Sequence, residues 1–197
     1  MEASLEGFVP RARAGLDDTM AIYVAFAGAF APRGRRMDLL EAKSRIAEAL
    51  VESIFRRARY EVRPFRSGLS LPLRFGREDF SPDFRVSQTT PEGEERAFLL
   101  EVKYRPSVEQ FVSVENQRGE KSIFHLARRH WPSLFFVLVS DRPEAGRSCF
   151  QALVLDARAG EPFRTIDLTE MKEFGLFPHN VEDHEELVRR IFTLLTA

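Results

Sequence analysis

Ser81-Pro82-Asp83-Phe84-Arg85-Val86 and Phe98-Leu99-Leu100-Glu101-Val102-Lys103-Tyr104 are two short runs separated by a linker rich in Thr, Pro, Gly and Glu. Apolar runs divided by such a linker predict a β-hairpin with the linker as a surface loop. Side chains alternate along a strand, so Glu101 and Lys103 share one face while Leu100, Val102 and Tyr104 share the other. A carboxylate and an ammonium therefore stand side by side at the end of a strand, and the hairpin can bring the carboxylate of Asp83 against Glu101. Two acids and a lysine held on one sheet edge suit a hard divalent cation with a water beside it.

Upstream of the hairpin, residues Asp38 to about Arg59 carry a helical pattern. Leu39, Ile46, Leu50, Ile54 and Ala58 form a stripe at three- and four-residue spacing, widened by Val51 and Phe55. Acids dominate its start and arginines its end, as the helix dipole prefers. Glu48 sits at the border of the stripe, where a carboxylate can lean toward a site on the sheet; Glu52, one turn later, competes for that place. Glu61 to Phe65 predicts a first strand, and Leu69 to Phe80, with Pro72 and Gly76, a loop holding one short strand.

Downstream, Pro106 stops the strand and Ser107-Val108-Glu109-Gln110 has capping-box form. Helical spacing runs through Phe111, Val112 and Glu115, loosens near Gly119, and resumes from Ile123 to Trp131-Pro132. Gln117 and Lys121 lie one turn apart on this stretch. The continuous apolar run Leu134 to Ser140 predicts a central strand covered on both faces. Cys149 to Asp156 gives a further strand, Phe163 to Leu168 an edge strand, and Asp183 to Leu195 a closing amphipathic helix. This order reads as an α/β sandwich around a central mixed β-sheet flanked by helices.

The first 37 residues read as an arm, and 38–197 as the domain. Asp17 or Asp18 caps a helix through Ala31 that is apolar almost all round from Met20 to Phe30. The run is too short to cross a bilayer and lacks the basic start of a signal peptide. It is expected to pack on the domain or to join two copies as a homodimer rather than to bind a membrane, with a membrane-surface anchor as the remaining alternative. Arg33, Arg35 and Arg36 follow in a basic loop that suits nucleic-acid phosphates and equally suits a solvated surface.

The composition is that of an ordinary globular chain: 44% hydrophobic, 30% charged, net charge −1 over 197 residues. There is no global basic signature, although residues 33–66 hold 10 basic against 5 acidic side chains. Of the 29 basic residues four are lysine, leaving 25 arginines, whose planar fork matches phosphate. The single cysteine, Cys149, excludes an internal disulfide and a cysteine-based zinc site and fits a cytoplasmic setting. The four histidines show no His-Glu-x-x-His spacing, and no glycine loop of the Walker or dinucleotide type is present.

Pro82-Asp83 followed by Glu101-Val102-Lys103, with an acid-bearing helix before both, resembles the PD-(D/E)XK nuclease superfamily of restriction-endonuclease-like fold. The likeness is nearest to Holliday-junction-resolvase and RecB-like nucleases and covers Ile46 to Ser140. It implies a restriction-endonuclease-like core and a Mg²⁺-dependent nuclease acting on DNA, with Mn²⁺ as a substitute. By this resemblance Asp83, Glu101 and the Val102 carbonyl hold the metal, Lys103 orients or deprotonates the water, and Glu48 supplies a further carboxylate. Gln117 or Lys121 would complete the site. The alternative is a catalytically silent binding or assembly module that keeps the fold.

Overall fold

The computed structural model describes residues 38–65, 73–75, 78–89, 93–154 and 161–196. The expected apolar helix and the Arg33, Arg35 and Arg36 loop lie outside them.

Helix α1, Leu39–Arg57, opens where the Asp38 side chain accepts from the Leu40 N–H at 3.2 Å. It buries Leu50, Val51, Ile54 and Phe55 of the predicted stripe, with Ala58 just past its end, and also Ala47 and Lys43; Ile46 is only half-buried and Leu39, in the first turn, is exposed. It ends in a left-handed residue, Arg59 at φ 66°, which lets the Tyr60 N–H reach back to the Phe55 carbonyl and sends the chain into the sheet.

Six strands form one sheet in the order β1-β4-β5-β6-β7-β8: β1 Glu61–Pro64, β4 Phe84–Thr89, β5 Glu95–Tyr104, β6 Leu134–Val139, β7 Phe150–Val154 and β8 Arg164–Asp167. Neighbours pair antiparallel except β5 with β6, which run parallel. The predicted hairpin is β4–β5, with Phe84 opposite Leu100 and Thr89 opposite Glu95. Where one short strand was expected there are two, β2 Leu73–Phe75 and β3 Glu78–Phe80, paired as a separate small sheet.

A parallel pair needs a crossover, and helices α2, Val108–Arg118, and α3, Ile123–His130, supply it. The predicted loosening falls at Gly119, whose φ of 51° a side chain would resist. Past it, Ser122 caps α3 by accepting from the Phe124 N–H at 3.2 Å.

Helix α4, Pro178–Thr196, begins five residues before the expected Asp183. Pro178 suits a first helical turn, having no N–H to satisfy there. The polar Asn180 and His184 concealed this turn because both are buried. The carbonyl of Asn180 lies 2.6 Å from His184 Nδ1, and the Ser53 hydroxyl of α1 lies 2.9 Å from Nε2, which ties α4 to α1.

The sheet is covered on both faces. Residues of α1 and α4 pack with Val62, Phe84, Val86, Leu100, Val102, Tyr104, Val137 and Val139. Residues of α2 and α3 pack with Leu99, Leu134, Phe136 and Leu138. Even positions of β5 thus face α1 and α4, and the odd positions Leu99, Glu101 and Lys103 face the crossover. Cys149 is fully buried, and burial pushes its thiol up to about 11, the behaviour of a core residue rather than a nucleophile. Among the described residues no helix is long and apolar enough to cross a membrane.

Candidate active site

Asp83 stands just before β4, where its backbone is held from both sides: its N–H donates to the Leu100 carbonyl and its carbonyl accepts from Phe65, each at 2.9 Å. Because β4 starts only at Phe84, the Val102 N–H of β5 has no strand residue facing it. The carboxylate of Asp83 takes that place, with Oδ2 accepting from Val102 at 2.7 Å. The carboxylate is thereby anchored at the sheet position opposite Glu101.

Glu101 and Lys103 share the predicted face and meet at 2.7 Å through Glu101 Oε1 and Lys103 Nζ. Glu101 is only 4% exposed, and its second oxygen, Oε2, is buried with no hydrogen-bond partner. Burial, then the charge of Asp83, lifts its carboxyl well above the usual range, and Lys103 only partly offsets them. Asp83 is pushed up to about 6, burial outweighing the Val102 N–H, Lys103 and a side-chain hydrogen bond with the Glu101 carboxyl. Glu48 is raised to about 7 by burial and by Asp83, against the pull of Arg45 and Lys103. Although α1 covers the other face of the sheet, the Glu48 carboxyl is therefore close enough to sense both Asp83 and Lys103.

Asp83, Glu101 and Lys103 are gathered at the start of β4 and the end of β5, and the Glu48 carboxyl of α1 is within electrostatic reach of them. The competition between Glu48 and Glu52 resolves by packing. Glu52 accepts from Arg56 Nε at 2.8 Å in an ordinary i,i+4 pair.

Gln117 and Lys121 are not brought to this cluster. The helix breaks at Gly119, between them, so they do not share one helical face. Gln117 instead lines a groove of about 540 Å³ with Glu109, Asn116, Arg147, Gln151 and Thr165, and Lys121 is exposed.

The donor chemistry suits a hard cation: two carboxylates, one with an unsatisfied buried oxygen, disfavoured as anions by their surroundings. Among the described residues no three His, Cys, Asp or Glu side chains are grouped so as to hold a metal by themselves. The fit is therefore to an ion held by two carboxylates that completes its shell with a backbone carbonyl and water, as Mg²⁺ commonly does.

A second buried cluster escaped the sequence reading: Lys43, Tyr104 and Asp141, joined by side-chain hydrogen bonds. One signal pointed to it. Lys43 lies four residues before Ala47 and seven before Leu50, on the buried line of α1.

No family model, curated protein or solved structure matches the chain.

Proposed function

We propose that the protein is a metal-dependent nuclease of restriction-endonuclease-like fold that hydrolyses phosphodiester bonds in DNA. The observation that carries this reading is the orphaned, buried Oε2 of Glu101 beside the carboxyl of Asp83. A buried carboxylate oxygen left without a donor is costly in a folded protein, and a cation between the two acids removes that cost. Further support comes from the mixed sheet, the antiparallel pair bearing Asp83 and Glu101, the preceding helix with Glu48, and the helical crossover that follows.

Asp83, Glu101 and the Val102 carbonyl would hold Mg²⁺ or Mn²⁺, which when bound neutralises phosphate charge and makes its water more acidic. Lys103, beside Glu101, orients the attacking water and offsets the negative charge that grows on the phosphoryl oxygens. Glu48, with its carboxyl lifted to about 7, can take up or return a proton near neutral pH. Water adds to phosphorus, the bond to the leaving sugar oxygen breaks, and that oxygen takes a proton.

The test uses the full chain with Mn²⁺ on single-stranded, duplex and branched DNA and on RNA. Cleavage of DNA that disappears in Asp83→Ala is expected. If calorimetry shows no Mn²⁺ uptake and no substrate is cut, the nuclease reading falls and a non-catalytic binding or assembly module takes its place.

A further inference from the structure

Lys43 of α1 is 6% exposed. Its Nζ lies 3.2 Å from the Tyr104 hydroxyl and 2.9 Å from Asp141 Oδ2, while the same hydroxyl donates to Asp141 Oδ1 at 2.6 Å. The ammonium also sits 5.2 Å and 5.1 Å from the ring centres of Tyr104 and Phe192, which meet edge to face. Helix α1, the last residue of β5, the second residue after β6 and helix α4 are thereby tied at one buried point.

As a source of stability this is a poor device. Apolar residues of the same shape commonly serve as well as a buried ion pair or better. What directional bonds add is register. Apolar contacts carry no direction, whereas a lysine bonded to both Tyr104 and Asp141 fixes the height and rotation of α1 at that point. Tyr104 is the neighbour of Lys103 in β5, and Lys43 precedes Glu48 by five residues, about 7.5 Å along the helix axis. The cluster therefore sets how far along α1 the Glu48 carboxyl lies from Asp83, Glu101 and Lys103.

We propose that Lys43, Tyr104 and Asp141 are positioning residues for the candidate active site, holding α1 in register with the end of β5 so that Glu48 meets the Asp83–Glu101–Lys103 cluster. The proposal rests on the reading of that cluster as catalytic.

Two variants of the full chain test it: Tyr104→Phe, which keeps the ring and removes the hydroxyl, and Lys43→Met/Asp141→Leu, which replaces the ion pair by apolar side chains. Tyr104→Phe is the milder change and keeps the test valid if the double variant does not fold. The expected result is a native circular-dichroism spectrum, a fall of about 10- to 100-fold in kcat for Mn²⁺-dependent DNA cleavage, and KM within about twofold of the parent. A role in stability alone would lower Tm and leave kcat of the folded protein unchanged. The proposal is overturned, and the nuclease reading kept, if each folded variant retains kcat within about twofold while Asp83→Ala is inactive. If the parent chain neither binds Mn²⁺ nor cleaves, the nuclease reading fails first and this proposal with it.

Discussion

Glu101 in β5 and Glu115 in α2 are both glutamates almost removed from solvent, at 4% and 1% exposure, yet they are served very differently. Both oxygens of Glu115 are used. One accepts from Arg118 at 2.6 Å, and the other from the Ser122 hydroxyl and the Ile123 N–H at 3.0 and 2.8 Å. It joins α2 to the start of α3, where the dipole also favours a negative charge. Glu101 has Lys103 on one oxygen and no N–H donor on the other, and its neighbours include two more acids, Asp83 and Glu48. The same side chain is a satisfied structural tie in one place and a half-satisfied charge in the other. The second pattern is costly unless a ligand completes it.

The largest effect expected from this contrast is on activity. Asp83→Ala and Lys103→Ala should each lower Mg²⁺-dependent cleavage by about 10³-fold or more with the fold intact by circular dichroism. Unchanged rates in both would break the assignment of this cluster. Next in size is stability. Glu115→Ala strands the Ser122 hydroxyl and the Ile123 N–H and should cost about 3 kcal/mol in urea unfolding, whereas Glu101→Gln should be neutral or stabilising by about 1 kcal/mol. Equal losses would erase the distinction.

A pH series sharpens it further. The carboxyls of Asp83 and Glu48 are lifted from 3.8 to about 6 and from 4.5 to about 7. In the range between, the folded chain keeps protons that the unfolded chain has released, so their contribution to stability falls as pH rises and levels off above about 7. His184 acts in the opposite sense, burial holding its imidazole below the usual value, so the useful comparison is with Asp83→Asn, which leaves His184 in place. Without divalent metal, the variant should match the parent near pH 3, where Asp83 is protonated in both states, and exceed it by about 3 kcal/mol near pH 8, with about half of that gain already present near pH 5. A difference that stays constant with pH would count against a strained Asp83. The smallest effect separates the two helix acids. Glu52→Ala should change stability by about 0.5 kcal/mol or less and leave cleavage unaltered, since it breaks only a surface pair.

Much of this cluster was legible in the sequence because it rests on local rules. Alternation along β5 placed Glu101 with Lys103, and the hairpin placed Asp83 opposite. Less legible were the choices made by packing. Glu48 and Glu52 differ by one turn and both are half-buried, and only the docking of α1 on the sheet sets the first within reach of Asp83 and leaves the other to Arg56. Lys43, Tyr104 and Asp141 are 61 and 37 residues apart in sequence, beyond the reach of any periodic pattern. Asn180 and His184 disguised the first turn of α4, since their polarity suggested solvent where the fold supplies partners.

The parallel pairing of β5 with β6 bears on how the chain folds in time. The β4–β5 hairpin can close from neighbouring sequence, but β6 reaches β5 only after α2 and α3 have folded back across residues 105–133. Until that crossover docks over the face that holds Glu101, water surrounds the carboxylate and its ionisation is cheap. If drying the cluster follows the rate-limiting barrier, its penalty is carried by the native state alone. Relieving it should leave the folding limb of a denaturant chevron in place and lower the unfolding limb, so that Glu101→Gln unfolds more slowly than the parent. A faster folding limb with unchanged unfolding would contradict that sequence of events. On this view the poised charge shortens the lifetime of each folded molecule without making it harder to fold.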